Sequence, residues 1–157
     1  MRRLLLFTIL MLCCGDRTLA LELAASGGLT RNIGRADLVS GAGSNLNSTY
    51  TNAATASLTV SGTTSASDSW RIDVRMANTA WNGALRLKVR RDTDGSGSGS
   101  VGGGDSFLEI TGSDGQFFAG ACDRSGISLS YELTGMAVTI PPGFYNTTVI
   151  FTVVDTP

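Results

Sequence analysis

Histidine is absent from the sequence of 157 residues. Its absence excludes catalytic arrangements that use an imidazole base, such as Ser-His-Asp and Cys-His, and also metal sites with imidazole ligands. No spacing of Asp and Glu selects a pair of carboxylates for glycoside hydrolysis. The sequence therefore predicts a protein that is not an enzyme and that needs no cofactor.

Long apolar runs are absent too. The apolar stretch at residues 4–14 is about half of the ~20 residues that a membrane helix needs. Arg2 and Arg3 precede it, and Thr18-Leu19-Ala20 follows it as a small-residue cleavage site, which together form the pattern of a secretory signal peptide. We expect cleavage after Ala20, export of residues 21–157 and no membrane span in the mature chain.

Cysteine is scarce, and two of the three cysteines lie in the predicted signal peptide. The mature chain retains only Cys122 and forms no internal disulfide, so a single domain at residues 21–157 must rely on its apolar core. Cys122 is expected either to be buried as a small apolar residue or to link subunits. After Ala20 the chain has 9 basic and 12 acidic residues, and this net charge of −3 argues against nucleic-acid binding.

The chain is rich in polar and apolar residues that alternate with period two, which is typical of antiparallel strands with one buried face. No window shows a helical repeat, and turn clusters rich in Gly, Asn and Ser separate the alternating runs. The sequence therefore predicts an all-β, immunoglobulin-like antiparallel sandwich of about 7–8 strands. The expected strands are residues 54–60, 70–76, 85–90 and 127–133, shorter ones at 107–110, 117–119 and 137–140, and a final one at 144–154.

Two segments lack this alternation. Residues 21–52 contain few apolar side chains, and we expect an extended N-terminal segment with strands near residues 21–25 and 29–33 that forms an edge strand or is donated to a neighbour. Residues 92–105 include the low-complexity stretch Ser-Gly-Ser-Gly-Ser-Val-Gly-Gly-Gly, which predicts a flexible Gly/Ser loop.

The last strand carries the strongest pattern. The turn Pro142-Gly143 precedes a β-branched run in which both faces are partly apolar. Such a strand needs neighbours on both edges and a covered face. It is expected either to be enclosed within the domain or to contact a second subunit.

A weak calcium candidate lies at Asp92, Asp94 and Ser96. These residues match the opening of a calcium loop, with oxygen ligands at alternate positions and Gly97 at the sixth. Gly103 stands at the twelfth position, where such loops have a bidentate glutamate. The alternative interpretation is an acidic hairpin tip.

Two further features are candidates for contact with a ligand or partner. Six cations are expected on the polar faces of two consecutive strands. If these strands pair as a hairpin, one register sets Asp73 opposite Arg90 and Arg71 opposite Asp92. Such a basic face is either solvated or contacts an anionic envelope polymer or an acidic subunit. Trp81 lies at a turn and either caps the core or stacks on a sugar ring. The six cations are Arg71, Arg75, Arg86, Lys88, Arg90 and Arg91.

The stretch from Ile140 to Val153, Ile-Pro-Pro-Gly-Phe-Tyr-Asn-Thr-Thr-Val-Ile-Phe-Thr-Val, resembles the final strand of secreted bacterial pilin-like domains. It is similar to the spore coat protein U type and to chaperone-usher subunits, in which a Pro-x-Gly-x-Tyr turn leads into a Thr/Val strand. The resemblance implies donor-strand exchange, in which an extension of one subunit completes the sheet of its neighbour. The candidate assembly residues are Leu21, Leu23, Leu29, Ile33, Val149, Phe151 and Val153.

From these observations we expect a secreted structural subunit of a bacterial surface or fimbria-like assembly, located in the periplasm or at the cell surface and joined through strand edges. Its partners would be other copies of itself or other envelope proteins. The alternative is a monomeric adhesin module that binds a carbohydrate or another ligand through Trp81 and the basic face.

Overall fold

The structure, a computed structural model, describes residues 20–65 and 67–156, with the backbone but not the side chains of residues 78 and 79. The apolar stretch of the predicted signal peptide lies outside the described residues. Within them the chain is all-β, as predicted: nine strands form two antiparallel sheets, and a 3-10 helix at Arg35–Asp37 is the one helical element.

The strands follow one another along the chain with short connections except between the first two. In order they are β1 Glu22–Gly27, β2 Thr49–Ser61, β3 Ser69–Ala80, β4 Arg86–Arg91, β5 Val101–Gly103, β6 Leu108–Glu109, β7 Gly115–Ala121, β8 Arg124–Thr134 and β9 Asn146–Thr156.

The two sheets have different strand orders. The first sheet is ordered β1-β2-β8-β4-β6, and the second is ordered β5-β7-β3-β9. Strands β1 and β9 are therefore edge strands, one in each sheet, and they approach each other where the sheets meet. This corner of the molecule contains the candidate site.

One apolar core lies between the sheets, and the alternation in the sequence defines it. The inward residues of the long strands are buried, whereas their neighbours in sequence face solvent, because successive side chains on a strand point to opposite faces. The rings of Trp70 and Phe118 meet edge to face with centroids 6.1 Å apart. The largest fully buried side chains are Trp70, Phe118, Leu58, Ile72, Ile110, Ile127, Leu129, Val60, Val74 and Val89.

Three segments differ from the predicted strands. Residues 29–33 and 137–140 form no strand, although Leu29, Ile33 and Ile140 pack against buried residues. Their apolar side chains reflect burial of irregular backbone, which period-two counting cannot distinguish from a strand. Conversely, Val101–Gly103 forms strand β5 within the Gly-rich segment, where side chains give almost no pattern.

Strands β3 and β4 do not pair as a hairpin, so neither facing pair of the conditional register forms. Strand β3 pairs with β7 and β9, whereas β4 pairs with β8 and β6, so the two strands lie in different sheets. The short connection between β3 and β4 crosses from one sheet to the other because Leu85 is buried and Trp81 packs on the core. The Trp81 indole N–H donates a hydrogen bond to the Leu85 carbonyl at 3.1 Å. The six cations therefore do not share one face.

The Gly/Ser segment lies against the corner where β7 leads into β8. An added Cβ at Gly95, Gly97 or Gly99 would lie 2.4, 2.2 or 2.5 Å from a carbonyl oxygen of that corner, and all three glycines have positive φ. Arg124 also donates to the Gly97 carbonyl at 2.6 Å. The flexibility of residues 92–105 stays a prediction, but its alternating glycines have a steric role. Cys122, at the same corner, is buried as expected.

We predict that Gly97→Ala destabilises the fold by about 2 kcal/mol, which lowers the melting temperature by roughly 5–8 °C. The new methyl group would meet the Asp123 carbonyl, and φ at this position is +140°. Gly102→Ala is the matched control, because nothing lies within 4 Å of its Cβ position. Thermal denaturation followed by circular dichroism measures both, and equal melting temperatures would contradict the steric argument.

Candidate functional site

Strand β9 has a partner on one edge only. It pairs with β3 along its whole length, from Ser69↔Thr156 to Ala80↔Asn146. No other strand of the described chain borders it. Of the two alternatives, the described chain therefore does not enclose β9 with strands on both edges. The edge away from β3 presents backbone N–H and C=O groups of residues 148–156 that no other described strand pairs. Asp155 is the single charged residue of β9, so the strand lacks the lysines and prolines that usually protect an edge.

Strand β1 is the opposing edge strand, and it is weakly held. It pairs only with β2, in a register that sets Ser26 opposite Ser57 with their Oγ atoms 3.0 Å apart. Within β1 only Leu23 is half-buried, and the other five residues are exposed. Leu21, just before the strand, also packs against the core.

An open groove of about 1220 Å³ lies between these two edges, and we call it the edge groove. Its floor is apolar and comes from both sheets: Leu58, Leu87 and Tyr131 from the first, and Val149 and Phe151 from the second. Several floor residues belong to the main core, so the groove opens directly onto the interior between the sheets. An extended chain with alternating apolar side chains matches this shape.

One wall of the edge groove is formed by residues 25–35 and is fixed by an ion pair. The Arg31 guanidinium lies 2.6 Å from Asp37 Oδ1, and its carbon lies 4.7 Å from the centre of the Tyr50 ring. The backbone N–H of Gly34 donates to Asp37 Oδ2 at 2.8 Å. The Gly34 hydrogen bond, and then the one from Arg31, hold the pKa of Asp37 below its ordinary value of 3.8.

The other wall is the turn before β9. The Tyr145 hydroxyl donates to the Pro141 carbonyl at 2.5 Å, which closes the Pro-Pro-Gly-Phe-Tyr turn. Two large apolar side chains of this wall face solvent: Phe144 is 98% exposed and Val138 is 57% exposed. Phe144 thus stands at the mouth of the groove with nothing covering it. Exposed aromatic side chains beside apolar pockets are typical anchors of protein contacts.

Four of the seven predicted assembly residues line the edge groove, namely Leu29, Ile33, Val149 and Phe151, whereas Leu21, Leu23 and Val153 pack on the core without lining it. Val149, Phe151 and Val153 of β9 pack against the same core cluster as Leu21, Leu23 and Leu29. Ile33 joins the smaller cluster that contains Tyr50, Leu85 and Leu133. The N-terminal segment and the terminal strand, although far apart in sequence, therefore border one groove.

Trp81 lies on the core side of the molecule. It packs against both core clusters, and the Leu85 carbonyl accepts its indole N–H. This geometry favours the core-capping interpretation over sugar stacking.

The predicted basic face is divided between the sheets, and all of its cations are ion-paired. Arg71 and Arg75 belong to strand β3 of the second sheet, whereas the other four cations belong to strand β4 of the first. Each cation has a nitrogen within 3.3 Å of a carboxylate oxygen. The pairs are Arg71–Asp73 at 2.9 Å, Arg75–Asp114 at 3.3 Å, Arg86–Glu109 at 3.1 Å, Lys88–Glu132 at 2.8 Å, Arg90–Asp92 at 3.0 Å, and Arg91–Asp94.

The calcium candidates are occupied by other contacts. Arg90 pairs with Asp92 Oδ1, Ser130 donates to Asp92 Oδ2, and Arg91 pairs with Asp94. A cation would have to displace these groups. Across the described ranges, no three His, Cys, Asp or Glu side chains are grouped so that they could hold a metal ion.

Sequence reasoning missed the walls of the groove. Residues 28–35 and 136–145 carry apolar side chains on irregular backbone, and the pairing of Arg31 with Asp37 joins residues six positions apart in such a segment. Phe144 was predicted to begin the final strand at residues 144–154, but β9 begins at Asn146 and Phe144 lies in the exposed turn before it.

We expect the melting temperature to fall as the pH drops below about 4, because four aspartates have lowered folded-state pKa values. Hydrogen bonds lower the pKa of Asp37, Asp68 and Asp123, and Ser65 with Thr64 lowers that of Asp68 to about 2. Burial acts to raise the pKa of Asp92, but hydrogen bonds from Ser130 and Arg90 leave it lowered. A lowered pKa gives stability that is present above the unfolded value and is lost as the pH falls through the folded value.

Asp37→Asn should lower the melting temperature at pH 7 and make its decline between pH 5 and 2 shallower, because one of the four contributions is gone. Thermal denaturation of both proteins across this range measures the difference. An unchanged pH profile would show that the Asp37 carboxylate does not stabilise the wall.

No helix of the described chain is long and apolar enough to cross a membrane. Comparison with family models, with curated proteins and with solved structures found no match for the chain.

Proposed function

We propose that the protein is an exported, non-enzymatic structural subunit of a bacterial surface or fimbria-like assembly, and that its copies join through strand edges. The observation that carries this proposal is the free edge of β9 beside the apolar floor of the edge groove. An extended segment placed there would hydrogen-bond to the β9 backbone and insert alternate side chains between the sheets.

The strand order supports an immunoglobulin-like sandwich that lacks its last strand. In that fold, strands A-B-E-D pack on strands C-F-G. The sequence β1-β2-β8-β4 takes the places of A-B-E-D, and β3-β9 take those of C-F. The place of strand G is the free edge of β9. Completion by a neighbouring subunit would supply that strand, as the resemblance of the terminal stretch to pilin-like domains implies.

A second copy of this chain is the partner that we propose, with Leu21 and strand β1, residues 21–27, as the donated segment. Leu29 and Ile33, which pack against the core clusters and belong to the wall of the groove, stay in place. Release of β1 from its own β2 would expose little apolar surface, because only Leu21 and Leu23 contact the core there. Release of β9 would expose three core-packed side chains and break eleven rows of pairing with β3. Release of β1 from the domain therefore costs less free energy than release of β9.

The alternative of a monomeric glycan-binding module has less support from the geometry. It would use Trp81 and the basic residues, but the Trp81 N–H is engaged by Leu85 and the cations are paired with carboxylates.

We predict that the mature protein forms larger species as its concentration rises, and that Phe144→Asp raises the concentration at half-assembly about tenfold or more, the loss of an anchor contact. Phe144 is 98% exposed, so the substitution should leave the monomer folded. Light scattering after size-exclusion chromatography and electron microscopy across concentration measure assembly.

Val39→Asp is the matched control, because Val39 is 62% exposed but does not line the edge groove. It should assemble like the wild type. Equal effects of the two substitutions would indicate a nonspecific apolar contact, and a wild type that stays monomeric at every concentration would contradict the proposed function.

A further inference from the structure

We infer that an ion pair between Arg35 of one copy and Glu22 of the next fixes the direction and register of the strand that enters the edge groove. This inference rests on the proposed function and deepens it, since it names the chemistry by which the groove selects its occupant.

Arg35 is the cation of the groove that has no partner within the domain. Arg31 and Arg35 are the charged residues among those that line the groove, and Asp37 already pairs with Arg31. Arg35 is exposed at the start of the 3-10 helix. Within residues 20–65 and 67–156, no carboxylate lies within 4 Å of its side chain. An occupant that brings a carboxylate to this position is favoured over one that brings a cation or none.

Glu22 is an acidic residue without a partner on the segment that we propose is donated. It is exposed, and no described cation lies within 4 Å of it. Most other carboxylates of the described chain are in ion pairs or accept hydrogen bonds from Ser and Thr hydroxyls. Asp105 lies in a loop, and Asp155 lies in the paired strand β9.

The sequence Leu21-Glu22-Leu23 has the alternation that the groove requires. In the closed domain Leu21 and Leu23 face the core, while Glu22 faces solvent. The same alternation in the groove would set the two leucines on the apolar floor and Glu22 towards the mouth, where Arg35 lies. Both copies are identical, so every copy carries the acidic strand and the basic groove, and the contact repeats from subunit to subunit.

The position of Arg35 then sets the direction of the inserted strand. Ile33, two residues earlier, packs against the same buried cluster as Tyr145 and Ile140, so we place Arg35 near the start of β9. A strand with Glu22 at this end has its N-terminus beside Tyr145 and runs parallel to β9 towards Phe151. The six residues of β1 extend about 20 Å, which matches the six residue-to-residue steps from Tyr145 to Phe151.

Charge reversal tests the pair in the full mature chain. We expect Arg35→Glu and Glu22→Arg each to raise the concentration at half-assembly at least about fivefold at low salt, since each places like charges together. The double reversal should return it to within about twofold of wild type. The effects should shrink at 1 M NaCl, where the screening length is about 3 Å. Asp105→Arg is the control, because it reverses an exposed acidic residue of a loop that does not line the groove.

Single reversals that assemble like wild type, or a double reversal no better than the singles, would overturn the ion pair. If wild type assembles in that experiment, the proposed function stands while this inference fails. A wild-type protein that never assembles would contradict both the proposed function and this inference.

A locked monomer provides a second test that does not depend on polymer formation. Ser26→Cys with Ser57→Cys should form a disulfide that holds β1 on β2, because the two Oγ atoms are already 3.0 Å apart on facing residues. Locked protein should stay monomeric until a reductant is added, and its empty groove should bind a synthetic peptide of residues 20–28.

The change in fluorescence of Trp81, which lines the groove, reports this binding, while Trp70 is fully buried. A peptide with Glu22→Lys should bind at least about fivefold more weakly than the natural peptide, and this difference should be lost with Arg35→Glu protein. If the locked protein that retains Arg35 binds the two peptides equally well, the inference is overturned.

Discussion

The structure depends on one unmet requirement: β9 is a long strand with a single charged residue, Asp155, and it pairs with a described strand on one edge only. Buried or semi-buried backbone groups without partners are costly, and we propose that the apolar floor beside this edge receives another strand. The rest of the domain maintains this arrangement. The core between the sheets holds β9 through Val149, Phe151 and Val153. The Arg31–Asp37 ion pair fixes one wall of the groove, and the Tyr145–Pro141 hydrogen bond fixes the other.

The charges of the molecule are otherwise neutralised locally. Seven cations pair with carboxylates on the same domain, and the exceptions among the described residues are Arg35 and Arg124. Arg124 binds the Gly97 carbonyl at the β7–β8 corner, so it has a structural contact. Arg35 has none. A surface whose charges are mostly paired makes few nonspecific contacts, and selectivity is then concentrated at the groove.

Alternation in the sequence predicted which residues are inside, because period two follows from strand geometry alone. It identified the buried faces of β2, β3, β4 and β8 correctly. It could not predict partners: the connection between β3 and β4 is short enough for a hairpin, yet Leu85 is buried and Trp81 packs on the core, which carries the chain to the other sheet. The groove could not be predicted for the same reason, since it depends on which strands are edges.

Hydrogen–deuterium exchange of the amides of residues 146–156, measured across protein concentration, tests the free edge of β9 most directly. The account predicts that the β9 amides facing away from β3 exchange rapidly in dilute monomer and become protected when the protein assembles. Protection that is already complete in the monomer, or that does not change on assembly, would contradict it.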